Sequence, residues 1–179
     1  MKKTIILFIV IIIGYSIYYN NQYHVKNNNK SIKTYVEKFI NIGEETEMEL
    51  KIIEVVQLGD SDTYLASFIS EKTIGYAILK KGLNNKMKIE SARYGTNKIK
   101  YSAITTNKGN YGVLTGVNQT NIDHITSSLL NAKFTFTVNV SKERYFIKYK
   151  KLPKKIEKPF PAEFNFYDKN NNVLSKRNY

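Results

Sequence analysis

The sequence predicts an α+β protein: an N-terminal transmembrane helix, then one amphipathic helix packed on a mostly antiparallel meander β-sheet, with a second short helix. Three observations carry that expectation. Ile5 to Ile13 are nine unbroken apolar residues behind Lys2 and Lys3. Ile32, Tyr35, Val36, Phe39 and Ile40 then repeat at the helical spacing i, i+3, i+4, i+7, i+8. From Glu47 onward the apolar period drops to two, and turn residues recur roughly every ten positions.

At a rise of 1.5 Å per residue, Thr4 to Tyr23 forms a helix about 30 Å long, the thickness of a hydrocarbon core. Tyr15, Tyr18, Tyr19 and Tyr23 gather at its far end, where amphipathic rings favour the interface. The two lysines hold the N-terminus inside and send the remainder out of the cytoplasm. Cleavage as a signal peptide is the alternative: Gly14 and Ser16 are small, but they abut the apolar run and precede bulky Ile17-Tyr18-Tyr19. Residues 1–19 therefore read as a transmembrane signal anchor. The Asn-rich stretch 20–30 reads as a flexible tether, and 31–179 as one extracytoplasmic α+β domain.

Within that domain Ser31 stands where a helix cap is needed, and Gly43 where the helix should stop. The first strand begins at Glu47, with Met48, Leu50, Ile52, Val56 and Leu58 on one side. Apolar runs at 63–70, 73–79, 86–92, 99–105 and 111–117 are separated by Gly/Asn/Asp turns at 59–62, 82–85, 95–97 and 107–110. Loops this short join antiparallel neighbours and cannot carry parallel crossovers. Ile122, Ile125 and Leu129 suggest the second helix over 121–130, with Asp123 in its first turn. Phe134, Phe136, Val138 and Val140 alternate with Thr135, Thr137 and Asn139 as a strand. Arg144 to Lys150 is the next strand. Pro153, Pro159 and Pro161 mark a linker. A last hairpin joins 162–167 to 173–176.

Composition narrows the chemistry. The chain has no cysteine, which removes disulfides, thiolate metal sites, cysteine nucleophiles and a lipidated cysteine anchor. The formal net charge of +13 favours anionic partners. Only Arg93, Arg144 and Arg177 supply the guanidinium fork that matches phosphate and guanine, which disfavours nucleic acid. Abundant Lys, Asn, Ile and Tyr also fit an AT-rich genome. In composition the chain resembles small envelope proteins of low-GC Gram-positive bacteria, a likeness that implies no activity.

Of the two histidines, His24 lies in the tether and His124 on the polar side of its element. No H-E-x-x-H, phosphate loop or G-x-S-x-G elbow occurs. Asp60 and Asp62, and the series Asp168, Asn170, Asn172, resemble the start of a calcium loop. The latter has Val173 and Tyr179 where Gly and Glu are required, so Asx turns are expected at both places. Glu44, Glu45, Glu47 and Glu49 read as a solvated acidic face. Asn118-Gln119-Thr120 and Asn139-Val140-Ser141 match the glycosylation pattern without arguing for its use. No catalytic, cofactor or metal residue is expected.

One segment stands above this background. Residues 142–158 hold eight Lys or Arg against Glu143 and Glu157. Arg144, Lys148, Lys150, Lys151, Lys154 and Lys155 are the candidate polyanion-binding residues, with Tyr145, Tyr149 and Phe160 interleaved. The competing reading is an edge strand guarded by lysines, its tyrosines turned to the core. Three functions remain open: a membrane-tethered, non-catalytic interaction domain for an envelope protein, a module for anionic polymer or anionic membrane surface, and a hydrolase. The membrane itself is the expected partner of residues 4–19.

Overall fold

A computed structural model describes residues 2–71, 73–96, 98–156, 159–160 and 162–178. Met1, the side chains of Lys2 and Lys3, Asn97 of the third expected turn, Glu157, Lys158, Pro161 and Tyr179 lie outside the described residues.

Helix α1 (Lys2–Gln22) carries the apolar run, and Thr4–Gln22 is long and apolar enough to cross a membrane. Ile5 to Ile13 each expose between 51% and 63% of their surface, so nothing among the described residues covers them. The tether is corrected by the structure. Helix α1 runs on to Gln22, and Val25 is then fully buried, exchanging two backbone hydrogen bonds with Met87 (3.0 and 2.8 Å). A single valine in an Asn-rich stretch suffices, because a buried backbone segment needs partners and Met87 supplies both.

Helix α2 (Asn29–Ile40) buries Ile32, Val36 and Ile40, as the stripe requires. Its cap is Asn28 rather than Ser31: Asn28 Oδ1 accepts the Ser31 N–H at 2.8 Å. Both residue types cap well, and the asparagine comes first. Ser31 Oγ instead accepts the Lys26 N–H.

Among the described residues eleven strands form three antiparallel sheets instead of one meander. The first sheet is a meander of β1 (Lys51–Gln57), β2 (Thr63–Ser70), β3 (Thr73–Lys81) and β4 (Met87–Gly95). The middle sheet has the order β5 (Ile99–Thr106), β6 (Gly109–Val117), β9 (Tyr145–Lys151). The outer sheet has the order β11 (Val173–Asn178), β10 (Ala162–Tyr167), β7 (His124–Leu129), β8 (Phe134–Asn139).

Side-chain alternation stacks these sheets into layers. In β3, Ala77 and Leu79 join the cluster under α2, while Tyr76 and Ile78 face Ile104, Tyr111, Val113 and Ile147 of the middle sheet. On the other side of the middle sheet, Ile99, Tyr101, Leu114 and Phe146 meet Ile125, Phe136, Phe164 and Phe166 of the outer sheet. The order is therefore α2, first sheet, middle sheet, outer sheet. The central strands β2, β3 and β6 are buried on both faces, which explains their near-continuous apolar runs.

Two further expectations are corrected. Residues 121–130 are not a helix: 124–129 form β7, with Ile125 and Leu129 buried and Thr126 and Ser128 turned outward. Positions 122, 125 and 129 fit a helical stripe and an alternating strand almost equally, and Ile-Thr-Ser-Ser has weak helix propensity. Pairing with β8 and β10 on both sides decides it. The first strand begins at Lys51, not Glu47, and a register shift between Ile52 and Glu54 breaks its alternation. Val55 consequently packs toward α2, whereas Val56 and Leu58 pack toward the middle sheet. A bulge inserts one residue and so flips every side chain beyond it.

Candidate functional site

Strand β9 is an edge of the middle sheet, bonded to β6 alone. Phe146 and Ile147 bury its first half on opposite faces, and the strand then turns polar at Lys148 and emerges into solvent through Tyr149, Lys150 and Lys151. Leu152 and Ile156 re-enter the core and bracket a tight turn in which Ile156 N donates to Pro153 O at 3.0 Å. That turn holds Lys154 and Lys155 outward.

The structure divides the six candidate residues. Arg144 lies before β9 next to Tyr145, its guanidinium 5.4 Å from the ring centroid. Lys148 pairs with Glu143 at 2.6 Å. Lys150, Lys151, Lys154 and Lys155 are exposed, and among the described residues no carboxylate pairs with them. At about 3.3 Å per residue, Arg144 sits roughly 23 Å from Lys151, too far to grip one compact anion with it. The interleaved aromatics are not free platforms. Tyr149 meets Tyr111 edge-on (5.9 Å), and Phe160 meets Tyr101 (5.1 Å) while keeping 43% of its surface exposed.

The exposed lysines share an end of the molecule with the exit of α1. Lys81 N donates to Asp62 O (2.7 Å), Asp62 N to Asn107 Oδ1 (3.3 Å), and Leu152 N to Asn110 O (2.8 Å). These bonds join the β1–β2, β3–β4 and β5–β6 turns to the end of β9. Nothing in the spacing of these residues along the chain reveals that neighbourhood.

At the opposite end a cleft of about 570 Å³ is lined by Asn118, Asp123, Ser141, Arg144 and Asp168, among others. His124 Nδ1 lies 3.0 Å from Asp123 Oδ2, and its ring stacks on Tyr167 (centroids 4.7 Å, 8° between planes). The hydrogen bond from His124, helped by Ser141, holds the Asp123 carboxyl below its usual range. Ser141 thus serves the carboxylate and not the imidazole, so this trio lacks the hydroxyl-to-imidazole contact that activates a serine nucleophile. The Asp–His pair is adjacent in sequence, but Tyr167 is brought in only by the β7–β10 pairing.

The remaining expectations can be placed. Asp168 accepts hydrogen bonds from Asn170 N (2.8 Å), Asn172 N (2.9 Å) and Asn172 Nδ2 (2.9 Å), a self-closed Asx turn that holds the carboxyl below its usual range. Asp62 pairs with Lys80 at 3.6 Å. Glu44, Glu45, Glu47 and Glu49 are exposed, with Glu49 bonded to Lys33. Asn118 spends its amide on Ile122 O (2.7 Å) and Val140 O (3.2 Å) while Ile122 N donates to its Oδ1, so it carries no accessible glycan acceptor in the fold. Among the described residues no group of three or more His, Asp or Glu could hold a metal.

Comparison with protein-family models, with curated proteins and with solved structures finds no match to this chain.

Proposed function

We propose that the chain is a membrane-tethered, non-catalytic binding domain of the cell envelope, anchored by α1 with the β-rich body outside the cytoplasm. The observation that carries this reading is the uncovered run Ile5–Ile13 on a helix of spanning length. Water cannot solvate nine exposed apolar side chains without a large cost, while hydrocarbon can at none. The cleft beside Asp123 and Arg144 is open and lined by polar and apolar groups alike, unlike the mostly apolar walls of a small-molecule site. An interaction through surface contacts with another envelope component follows. Membrane fractionation with alkaline extraction, followed by protease treatment of intact spheroplasts, tests it. The expected result is a full-length chain that resists extraction and whose body is cut from outside. Intact chain in the soluble cell interior contradicts it. In-membrane crosslinking should then capture a defined envelope partner.

A second reading gives the exposed lysines the work. Lys150, Lys151, Lys154 and Lys155 lie together with no carboxylate partner among the described residues, as a site for an anionic polymer or surface would. Replacing all four by Gln should then weaken binding of wall polyanion and flatten its dependence on salt. Binding that ignores both salt and the substitution removes this reading.

A further inference from the structure

The junction between anchor and body has no slack. Tyr19 Oη accepts the Leu83 N–H at 2.6 Å, and Asn84 Nδ2 donates to Asn20 Oδ1 (3.1 Å) and to Tyr23 O (3.0 Å). Tyr19 and Tyr23 stack at 4.6 Å, Lys88 sits over the Tyr23 ring at 5.6 Å, and Val25 completes the contact through Met87. Gly82 is required at this point, because a Cβ there would lie 2.5 Å from the Tyr23 ring and 2.6 Å from the Tyr19 hydroxyl. The β3–β4 turn is thus latched to the last turns of α1.

Depth follows from length. A hydrocarbon core of about 30 Å consumes roughly 20 residues of helix, which from Thr4 reaches Tyr23. Tyr19, Asn20 and Tyr23 are the residues already bonded to the β3–β4 turn, so no segment remains to lift the body off the bilayer. Leu83 is attached at the depth of the Tyr19 hydroxyl and is 94% exposed, the most exposed large apolar side chain among the described residues. The same end presents Lys81, Lys108, Lys150, Lys151, Lys154 and Lys155, all exposed, against Asp60 and Asp62, the latter paired with Lys80.

We propose that this end of the first and middle sheets seats directly on the bilayer that α1 crosses, with Leu83 entering the interface and the surrounding lysines meeting anionic phospholipid headgroups. The proposal rests on α1 being an anchor, and it adds a fixed posture in place of a body swinging on a tether. It also assigns the exposed lysines to lipid of the same membrane rather than to a soluble polymer. Apolar insertion beside a basic rim is how interfacial segments hold anionic membranes.

The lack of cysteine makes the test direct. The full chain carrying Leu83→Cys, or Lys169→Cys at the opposite end as control, is labelled with an environment-sensitive fluorophore. It is reconstituted into phosphatidylcholine vesicles with and without phosphatidylglycerol. The expected result is blue-shifted emission at position 83, loss of most of it to headgroup-region spin-labelled lipid, and neither effect at 169. Phosphatidylglycerol should deepen the effect at 83, and changing Lys150, Lys151, Lys154 and Lys155 to Gln should abolish that gain. A wet, lipid-inaccessible position 83 in chains that resist alkaline extraction overturns the seating while leaving the anchor intact. Extraction of the chain from the vesicles removes anchor and seating together. Quenching at 83 that ignores phosphatidylglycerol overturns the headgroup role of the lysines.

Discussion

The first sheet and the outer sheet are built from similar strands yet occupy opposite environments. The first is covered on one side by α2 and on the other by the middle sheet, and adjacent residues of β3 such as Ile78 and Leu79 are both buried, in different clusters. The outer sheet has one apolar face, Phe136 and Val138 inward, with Thr135, Thr137 and Asn139 outward. Its outer face is tied by hydroxyl pairs, Thr126 to Thr137 (3.0 Å) and Ser128 to Thr135 (3.1 Å). A sheet's address in the layers, and not its strand content, sets which positions matter.

The sharpest way to break this contrast is truncation at neighbouring positions. Phe136→Ala should cost about 4 kcal/mol and Thr137→Ala no more than about 0.5, whereas Ile78→Ala and Leu79→Ala should each cost about 3. Urea denaturation of the four variants checks it. A small cost at Leu79 would mean that α2 does not cover the first sheet.

The next effect concerns the apolar layer between the middle and outer sheets. The Tyr101 hydroxyl is buried there with no hydrogen-bond partner among the described residues, and burial pushes its pKa up to about 12. The unfolded phenol ionises near 10, so on alkalinisation the unfolded chain loses its proton first. The stability attached to the neutral phenol is complete below about pH 10 and is lost as pH rises through about 12, a change of roughly 2 kcal/mol. Tyr101→Phe should remove that dependence and, because an orphaned hydroxyl costs free energy, match or exceed wild-type stability at pH 7. Thermal melts at pH 7 and pH 11 decide it.

The smallest effect belongs to the outer sheet's exposed rim. The hydrogen bond from His124 depresses the Asp123 carboxyl, so its stabilisation is present above the ordinary carboxylate pKa and fades as pH falls through the depressed value. His124→Gln should reduce the slope of stability between pH 5 and 3 slightly while leaving the melt at neutral pH near that of the wild type, which parallel melts would show.

Strands β2 to β6 are legible to within three residues at each end, because Gly, Asn and Asp mark each turn and local pairing follows directly. What local pattern does not carry is partition among sheets. Strand β9 returns to β6 only after the chain has passed through β7 and β8, and β10 finds β7 across the linker. Residues 121–130 offered two periodicities, and tertiary pairing chose between them. The basic cluster was visible as composition, but its division into an Arg144 end and a Lys150–Lys155 end depends on the direction of β9. The tether misled for a definite reason: Val25, Tyr19 and Tyr23 bind a turn some sixty residues away.

That junction is the most direct place to look. Amide hydrogen exchange of the full chain in lipid nanodiscs, followed at Val25, Leu83 and Met87, reports whether α1 and the body are one continuous unit. Protection at Val25 and Met87 comparable to that of β3 and β4, with slowed exchange at Leu83, is the expected result. Exchange at all three amides at the rate of unstructured peptide, while β3 stays protected, would show a free linker and contradict the latch.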